Sequence, residues 1–536
     1  KLFLESNLGN LYERDLTPYS IQNSTKLSAV QHLGAMFIAN SGDVRDSVNT
    51  VTMRIGNRPT ATYVVGTDWA KPWTNLVDGD YLVITEAPAT MDDNLTDAHL
   101  RGSWYIRHST SHECYVIQPR IPGLKEFESV EAIKDGGYEI TGYIMTPPLA
   151  VNVNANTAEP WRTRRNSASD NYGHVPCGCT IGCNYRDRVV FAGLPPHQVF
   201  ASRAGDPYDF DYTQDDDSAA WWLTLSAAGG KPDNVRSLMP GGDDYLVFGC
   251  HGSIWMLVGD VTAGGQVSDV TLSEGIVGPD AWCRLPSGQI VLLGNEGLLA
   301  LNVGAKHLAP LSQERLPREL RNVNLQNYNP QLMYDPEGPG VYIWLAGQGG
   351  SRGRYHWYYS LRTNAFWPIE TQTNREAIAT CYRQGSMGYH RGMVWGTRNG
   401  QILRFDPLCG TDNGETFDSY VYYGPIRIAE NDVEGLIDEL VAVVPEGSGV
   451  IYWSIYLGET VEEALSASAA ASGYFNSFGP IVLGQVVSGA GRSIVERPQV
   501  SGMAFFLKLQ GAYNTWAWAI ERIEAKFRVL GRRIPL

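Results

Sequence analysis

A strand, a short turn and a second strand recur along this chain with variation, and this recurrence limits the possible folds more than any other feature. The phrase reads RVVFAGLPPHQVFAS from Arg188, YLVFGCHGSIWMLVG from Tyr245, QIVLLGNEGLLALNV from Gln289, VYIWLAGQGGSRGRYHWYYS from Val341 and GMVWGTRNGQILRFDP from Gly392. Each copy sets apolar, β-branched or aromatic residues on both sides of a turn rich in Gly, Asn, His or Pro, the sequence form of a β-hairpin. The starts lie 57, 44, 52 and 51 residues apart. A period near ~50 with strands throughout is that of β-propeller blades, in which each small sheet buries its faces against its neighbours.

Length and composition fit this reading. At 536 residues the chain exceeds the ~250–300 at which a single core stops growing, so several domains are expected. Hydrophobic residues make up 43% and charged ones 18%, enough apolar material for cores and too little charge for disorder. With 15 Trp, 28 Tyr, 15 Phe and 57 Gly, the usage suits pleated sheets and tight turns, and the expected class is all-β. A net charge of −15 repels polyanions and excludes a conventional electrostatic grip on nucleic acid. No run approaches the ~20 apolar residues of a membrane helix, so no membrane span is expected, and KLFLESNLGNLYERD lacks the apolar core of a secretory signal. The eight cysteines are dispersed over a chain that needs no staples, and they read as reduced thiols.

Four regions follow from changes in rhythm. Residues 1–55 hold a strand at Ala35–Ala39, a turn at Asn40–Asp43 and a strand at Val48–Ile55, which read together as one more blade hairpin. Residues 56–165 carry strands such as Tyr81–Ile84 and Tyr115–Ile117 in no common register with the repeats, and read as an inserted β-rich domain. Residues 166–412 form the main propeller, which the amino-terminal strands would close, because shared strands remove a free edge. Residues 413–536 read as a β-sandwich, with strands at Val450–Tyr456 and Met503–Leu509 and a helical turn or two within Thr460–Ala471.

Chemical motifs are sparse, and no catalytic, cofactor-binding or metal residue is assigned. Gly349-Gly350-Ser351-Arg352-Gly353 matches the spacing of a nucleophile elbow, but it lies between two strands where the motif needs a strand-to-helix turn. His174, Cys177, Cys179 and Cys183 are dense in soft ligands, yet their spacing is not that of paired zinc knuckles, so free thiols are expected there and no metal. The acids from Asp206 through Asp209 and Asp211 to Asp215, Asp216 and Asp217 could hold calcium or supply a carboxylate pair. Without the Gly and terminal Glu of a calcium loop they read as a solvated turn.

Several phrases, taken in order, carry a resemblance. YRDRVVFAGLPPHQVFASRAGDPYDF, from Tyr185 to Phe210, resembles a phrase of tail proteins of short-tailed bacteriophages, in which a hydrophobic strand is followed by Ser-Arg-x-Gly-x-Pro-x-Asp-Phe. Leu246-Val247-Phe248 with Gly252 to Leu257, the Gly275-Ile276-Val277-Gly278-Pro279 step, Met36 to Asn40, and the ending Trp516 to Ile523 with Gly531-Arg532-Arg533 are similar to later and flanking phrases of the same proteins. The likeness covers Tyr185 to Val303 best and residues 56–165 hardly at all. The family is the tail nozzle, also called the tail hub or packaged-DNA stabilisation protein. The resemblance implies a structural virion protein without enzymatic activity or cofactor. It implies a homohexamer below the portal and adaptor proteins, in contact with tail fibres or spikes. Genomic DNA would pass through the ring without sequence-specific contact. It implies assembly in the bacterial cytoplasm and a final location in the virion tail. The alternative is a glycan-binding or glycan-cleaving propeller of the tailspike depolymerase type, although sialidase-type Asp boxes do not occur. A protein-binding propeller of the WD type should repeat Gly-His and Trp-Asp marks, whereas the chain has one Gly-His, Gly173-His174, and no Trp-Asp.

Overall fold

The computed structural model describes residues 2–5, 11–14, 28–39, 44–58, 61–66, 80–89, 101–109, 114–117, 138–152, 157–160, 175–176, 178–193, 196–212, 214–227, 229–304, 306–311, 320, 328–347, 356–369, 371, 375–383, 392–397, 399–406, 411–415, 418–427, 433–445, 448, 450–458, 460–475, 491–511 and 518–532. Their regular secondary structure is β-strand apart from one short α-helix at Val461–Ser466. The chain divides into two compact units, Lys1–Ile402 and Leu403–Leu536.

The first unit is a β-propeller. Among the described residues, four consecutive sheets each take four successive antiparallel strands in chain order. They begin at Ile181–Tyr185, Val235–Pro240, Trp282–Arg284 and Tyr328–Asp335. A further sheet is described by three strands, Ala377–Arg383, Gly392–Thr397 and Ile402–Arg404. Each of the first four recurring phrases supplies the two central strands of one of these sheets, and the fifth supplies Gly392–Thr397 and Ile402–Arg404 of the last. Three of those strands, Arg188–Ala192, Ile290–Gly294 and Gly340–Gly347, are buried throughout, because they face neighbouring sheets on both sides. The cores accordingly lie between sheets. One cluster joins Val190, Val199 and Trp221 to Leu238, Leu246 and Phe248, and another joins Met239 and Val247 through Leu292 and Leu299 to Val341 and Ile343.

A sheet from the amino-terminal part precedes them: Ser28–His32 and Ala35–Ala39 combine with Leu149–Asn152 and Thr157–Pro160. Its first strand packs beside Ile181–Tyr185, where the Gly182 N–H donates to Ser28 Oγ at 3.3 Å. The expected hairpin of Ala35–Ala39 with Val48–Ile55 is corrected here. Ala35–Ala39 pairs on one side with Ser28–His32 and on the other with Leu149–Asn152, so that Ile38 faces Leu149. The strand that contains Val48–Ile55 runs from Val44 to Arg58 and belongs to a closed six-stranded antiparallel barrel. Its neighbours there are Tyr138–Met145 and Ala61–Gly66. Local alternation marks a strand but does not name its partners, and of the two here one follows directly in the chain while the other lies some ninety residues away.

The barrel is thus an insertion between the second and third strands of the first sheet, completed by Tyr81–Glu86, Gly102–Ser109 and Cys114–Ile117. Tyr81, Leu82, Ile84, Ile140 and Ile144 are buried in it. At Gly142 a side chain would stand 2.5 Å from the Val83 carbonyl oxygen, so glycine permits the close approach of Tyr138–Met145 to Tyr81–Glu86 where their register shifts.

The second unit is a β-sandwich. One sheet orders Tyr420–Arg427, Ala504–Gly511, Ile451–Gly458 and Ala471–Phe475. The other is built on Val433–Val444, flanked by Arg522–Arg532 along one edge and by Gly491–Glu496 and Val500–Gly502 along the other. Ile437, Leu440 and Ala442 of the second sheet pack on Ile451, Trp453, Phe505 and Leu507 of the first. The short helix lies in the expected Thr460–Ala471 segment, capped by Thr460 Oγ1, which accepts the Glu463 N–H at 3.1 Å.

Candidate functional site

The first strands of neighbouring propeller sheets approach one another around a cavity of about 540 Å³. Five sheets contribute to its wall: Ser28, then Ile181 and Cys183, then Arg236 and Leu238, then Asp280 and Trp282, then Tyr328 and Asn329. Its position follows from the fold, since strands that begin successive sheets crowd the middle of the unit and leave space where side chains do not fill it. Arg236 is the cation of this wall. Its guanidinium donates to the Ile276 carbonyl at 3.3 Å, and burial lowers its pKa below the ordinary value while Asp233 opposes that shift. Asp280 tethers the next sheet: its backbone bridges to Gln331, and its carbonyl accepts the Leu332 N–H at 2.8 Å. A guanidinium, a carboxylate and aromatic walls in one cavity have the chemistry of a site for a small polar molecule.

A second cluster of charge lies at the joint of the second and third sheets. Arg188 is fully buried and pairs with Asp260 at 2.9 Å. Its remaining donors reach the carbonyls of Ser202, Asp217, Ser218 and Ala219 and the hydroxyl of Thr262. Ser202 Oγ accepts the Val189 N–H, and Arg203 grips Asp216 at 2.7 Å with Asp209 at 4.0 Å. Phe210 is buried and stacks on Phe191. The acidic stretch is folded by its own side chains: Asp206, Asp209 and Asp216 accept the N–H groups of Tyr208, Asp211 and Ser218. Burial raises Asp209, and hydrogen bonds from Ser218 lower Asp216. These carboxylates therefore serve the loop itself: Asp215, Asp216 and Asp217 are exposed, as expected of a solvated turn, whereas Asp209 is half-buried and Asp211 buried.

Two carboxylates repeat a device one sheet apart. Asp233 accepts the Gly252 N–H and the Ser253 hydroxyl, and Glu274 accepts the Asn295 and Glu296 N–H groups, so each holds the turn of one hairpin. Burial raises the Glu274 pKa.

The soft-ligand cluster is separated. Cys179 lies among Val30, Phe37, Phe191 and Phe210, whereas Cys183 lies with Tyr185, Val190 and Leu238, where burial pushes its thiol far above the ordinary range. His174, Cys177 and the Gly349–Gly353 match lie outside the described residues. No group of three or more His, Cys, Asp or Glu among the described residues is arranged to hold a metal ion. Sequence reasoning missed Arg188–Asp260, Glu274 and the cavity, all of which depend on contacts between sheets.

No protein-family model and no curated protein sequence matches the chain. Solved structures do resemble it. An extracellular domain assigned to a hybrid two component system of B. thetaiotaomicron is 11% identical, with a TM-score of 0.34 and coverage of 82% of this chain and 46% of that one. YCF48 from Cyanidioschyzon merolae is 10% identical, with a TM-score of 0.28 and coverage of 70% and 94%. The chain spans about half the length of the B. thetaiotaomicron domains it matches. At the level of fold, which the strand pairing defines on its own, the chain is a β-propeller with an inserted barrel, followed by a β-sandwich.

Proposed function

We propose that the chain is a structural subunit of a phage tail nozzle, a homohexameric ring that retains a packaged genome and guides its exit. The observation that carries this reading is the use made of the resembling phrase from Tyr185 to Phe210. Arg188 joins its sheet to the next through Asp260, while Ser202, Arg203, Asp209 and Phe210 fold the loop that follows back onto the same sheet, so the shared residues serve packing and not an exposed reactive group. In this reading the amino-terminal sheet closes the propeller against its last sheet, and the subunits surround the passing DNA. The charge is consistent with passage: at −15 per chain, six copies carry about −90, and a wall that repels phosphates holds no counterion-releasing contacts that would slow the genome. No helix among the described residues is long and apolar enough to cross a membrane.

The test is native mass spectrometry of the full chain with electron microscopy of the assembled species. The expected particle is a six-subunit ring of about 355 kDa, six times 59.1 kDa. A chain that stays monomeric and degrades bacterial glycan as free protein would replace this reading with the depolymerase one.

A further inference from the structure

The four-stranded sheet of the second unit turns one face to the sandwich core and the other outward, and half of the outward positions in its first two rows are tyrosines. Inward go Ile451, Trp453 and Ile455 with Phe505, Leu507 and Leu509. Outward, the register aligns Tyr420, Gln510, Tyr452 and Tyr474 in one row across all four strands. The adjacent row is Tyr422, Lys508, Ser454 and Ser472. Tyr420, Tyr422, Tyr452 and Tyr474 are 48%, 44%, 45% and 52% exposed.

At ~4.8 Å per strand, the first row is a flat strip roughly 14 Å long. Lys508 is the only charged residue of the two rows. Its Nζ lies 4.7 Å from the Tyr420 ring centroid and 5.7 Å from that of Tyr422, and no ion pair holds it among the described residues. The rings are buttressed by one another: Tyr422 stands 5.6 Å from Tyr420 and 5.9 Å from Tyr456.

We propose that this face binds an acidic polysaccharide, a sugar polymer bearing carboxylates. Tyrosine rings offer rigid faces to the C–H faces of sugar rings at little entropic cost, and their hydroxyls with those of Ser454 and Ser472 match sugar hydroxyls, while the Gln510 amide donates to Asp418 at 3.4 Å. The net charge of −15 repels a polyanion at long range, so the attraction is local, supplied by Lys508 over the tyrosine rings. No Leu, Ile, Val or Met stands in either row, so the face lacks the aliphatic centre that a desolvated contact with another protein would bury. The inference stands independently of the nozzle reading, because the face lies within one unit and needs no ring.

The test is affinity electrophoresis of the full chain in gels containing alginate, a uronic acid polymer, or neutral dextran. Retardation by alginate is expected, with binding weakened about threefold to tenfold in Tyr452→Ala and in Tyr474→Ala. Lys508→Gln should weaken alginate binding by a similar factor and leave mobility in dextran unchanged. Unaltered circular dichroism of the variants separates loss of binding from loss of fold. Absence of retardation in alginate, or equal retardation in both gels regardless of Lys508, would overturn the proposal. So would a change of oligomeric state in the tyrosine variants with alginate binding intact, which would assign the face to a second copy of the chain.

Discussion

Arg188 shows how a buried charge is tolerated. Its guanidinium meets one carboxylate, four carbonyls and a hydroxyl, so every direction in which it could donate is occupied. Removing one member of such a pair leaves the other buried and unmatched, which costs about 3–5 kcal/mol. Arg188→Met is therefore expected to lose that much in urea denaturation, and Asp260→Leu added to it should recover part of the loss. His356 is a second buried titratable group, packed 4.9 Å from the Trp344 ring. Its Nδ1 accepts the Leu345 N–H at 3.1 Å and its Nε2 meets Thr371 Oγ1 at 3.2 Å, an arrangement that suits the neutral ring. Burial lowers its pKa from 6.5 to about 4. The unfolded chain binds the proton more readily between those values, so the stabilisation is complete above pH 6.5 and falls as pH falls toward 4. The loss is roughly 3 kcal/mol across that window. Chemical denaturation at several pH values should show this slope, and His356→Gln should flatten it.

At the scale of elements, the crossing from one sheet to the next is as constrained as the sheets. Gly275 begins the Gly275–Gly278 step, where the Ile276 N–H donates to the Cys250 carbonyl and the Val277 N–H to Leu293. A methyl group on Gly275 would stand 2.1 Å from the His251 carbonyl oxygen, an obstacle made of backbone. Gly275→Ala is expected to destabilise by about 1–3 kcal/mol or more. Gly396→Ala, whose added methyl meets nothing within 4 Å, should stay within about 0.5 kcal/mol of the parent. Paired thermal melts decide this, and equal losses in the two variants would show that the close approach at Gly275 is relieved by movement.

For the whole molecule, the placement of the barrel is a statement about modularity. It enters and leaves the first sheet between Ala39 and Leu149, and Leu149 is the register partner of Ile38, so the two ends of the insertion are adjacent in space. A short Gly/Asn turn in place of residues 41–147 should leave the propeller folded, since closing so small a loop costs little. The shortened chain is expected to melt within about 5 °C of the parent by circular dichroism. An unfolded product would show that the barrel supports the sheet that carries it.

The blades were legible because their signal is local. An apolar run, a Gly- or Asn-bearing turn and a second run specify a hairpin wherever they occur, and five copies near a common period specify a stack of sheets. The sandwich strands and the helix beginning after Thr460 were legible for the same reason. Pairing between distant segments was not. Val44–Arg58 alternates like any strand, and only closure of the barrel assigned it to Tyr138–Met145 in place of Ala35–Ala39. Cys179 and Cys183 are four residues apart in the chain, yet tertiary packing sent them into different cores. The ligation of Arg188, the cavity beside Arg236 and the tyrosine rows arise where separate strands fall into register. Sequence determined the elements, since alternation and turn chemistry act over a few residues. Which elements meet was decided by burial of area and satisfaction of polar groups across the whole structure, and these sum over contacts that no local window contains.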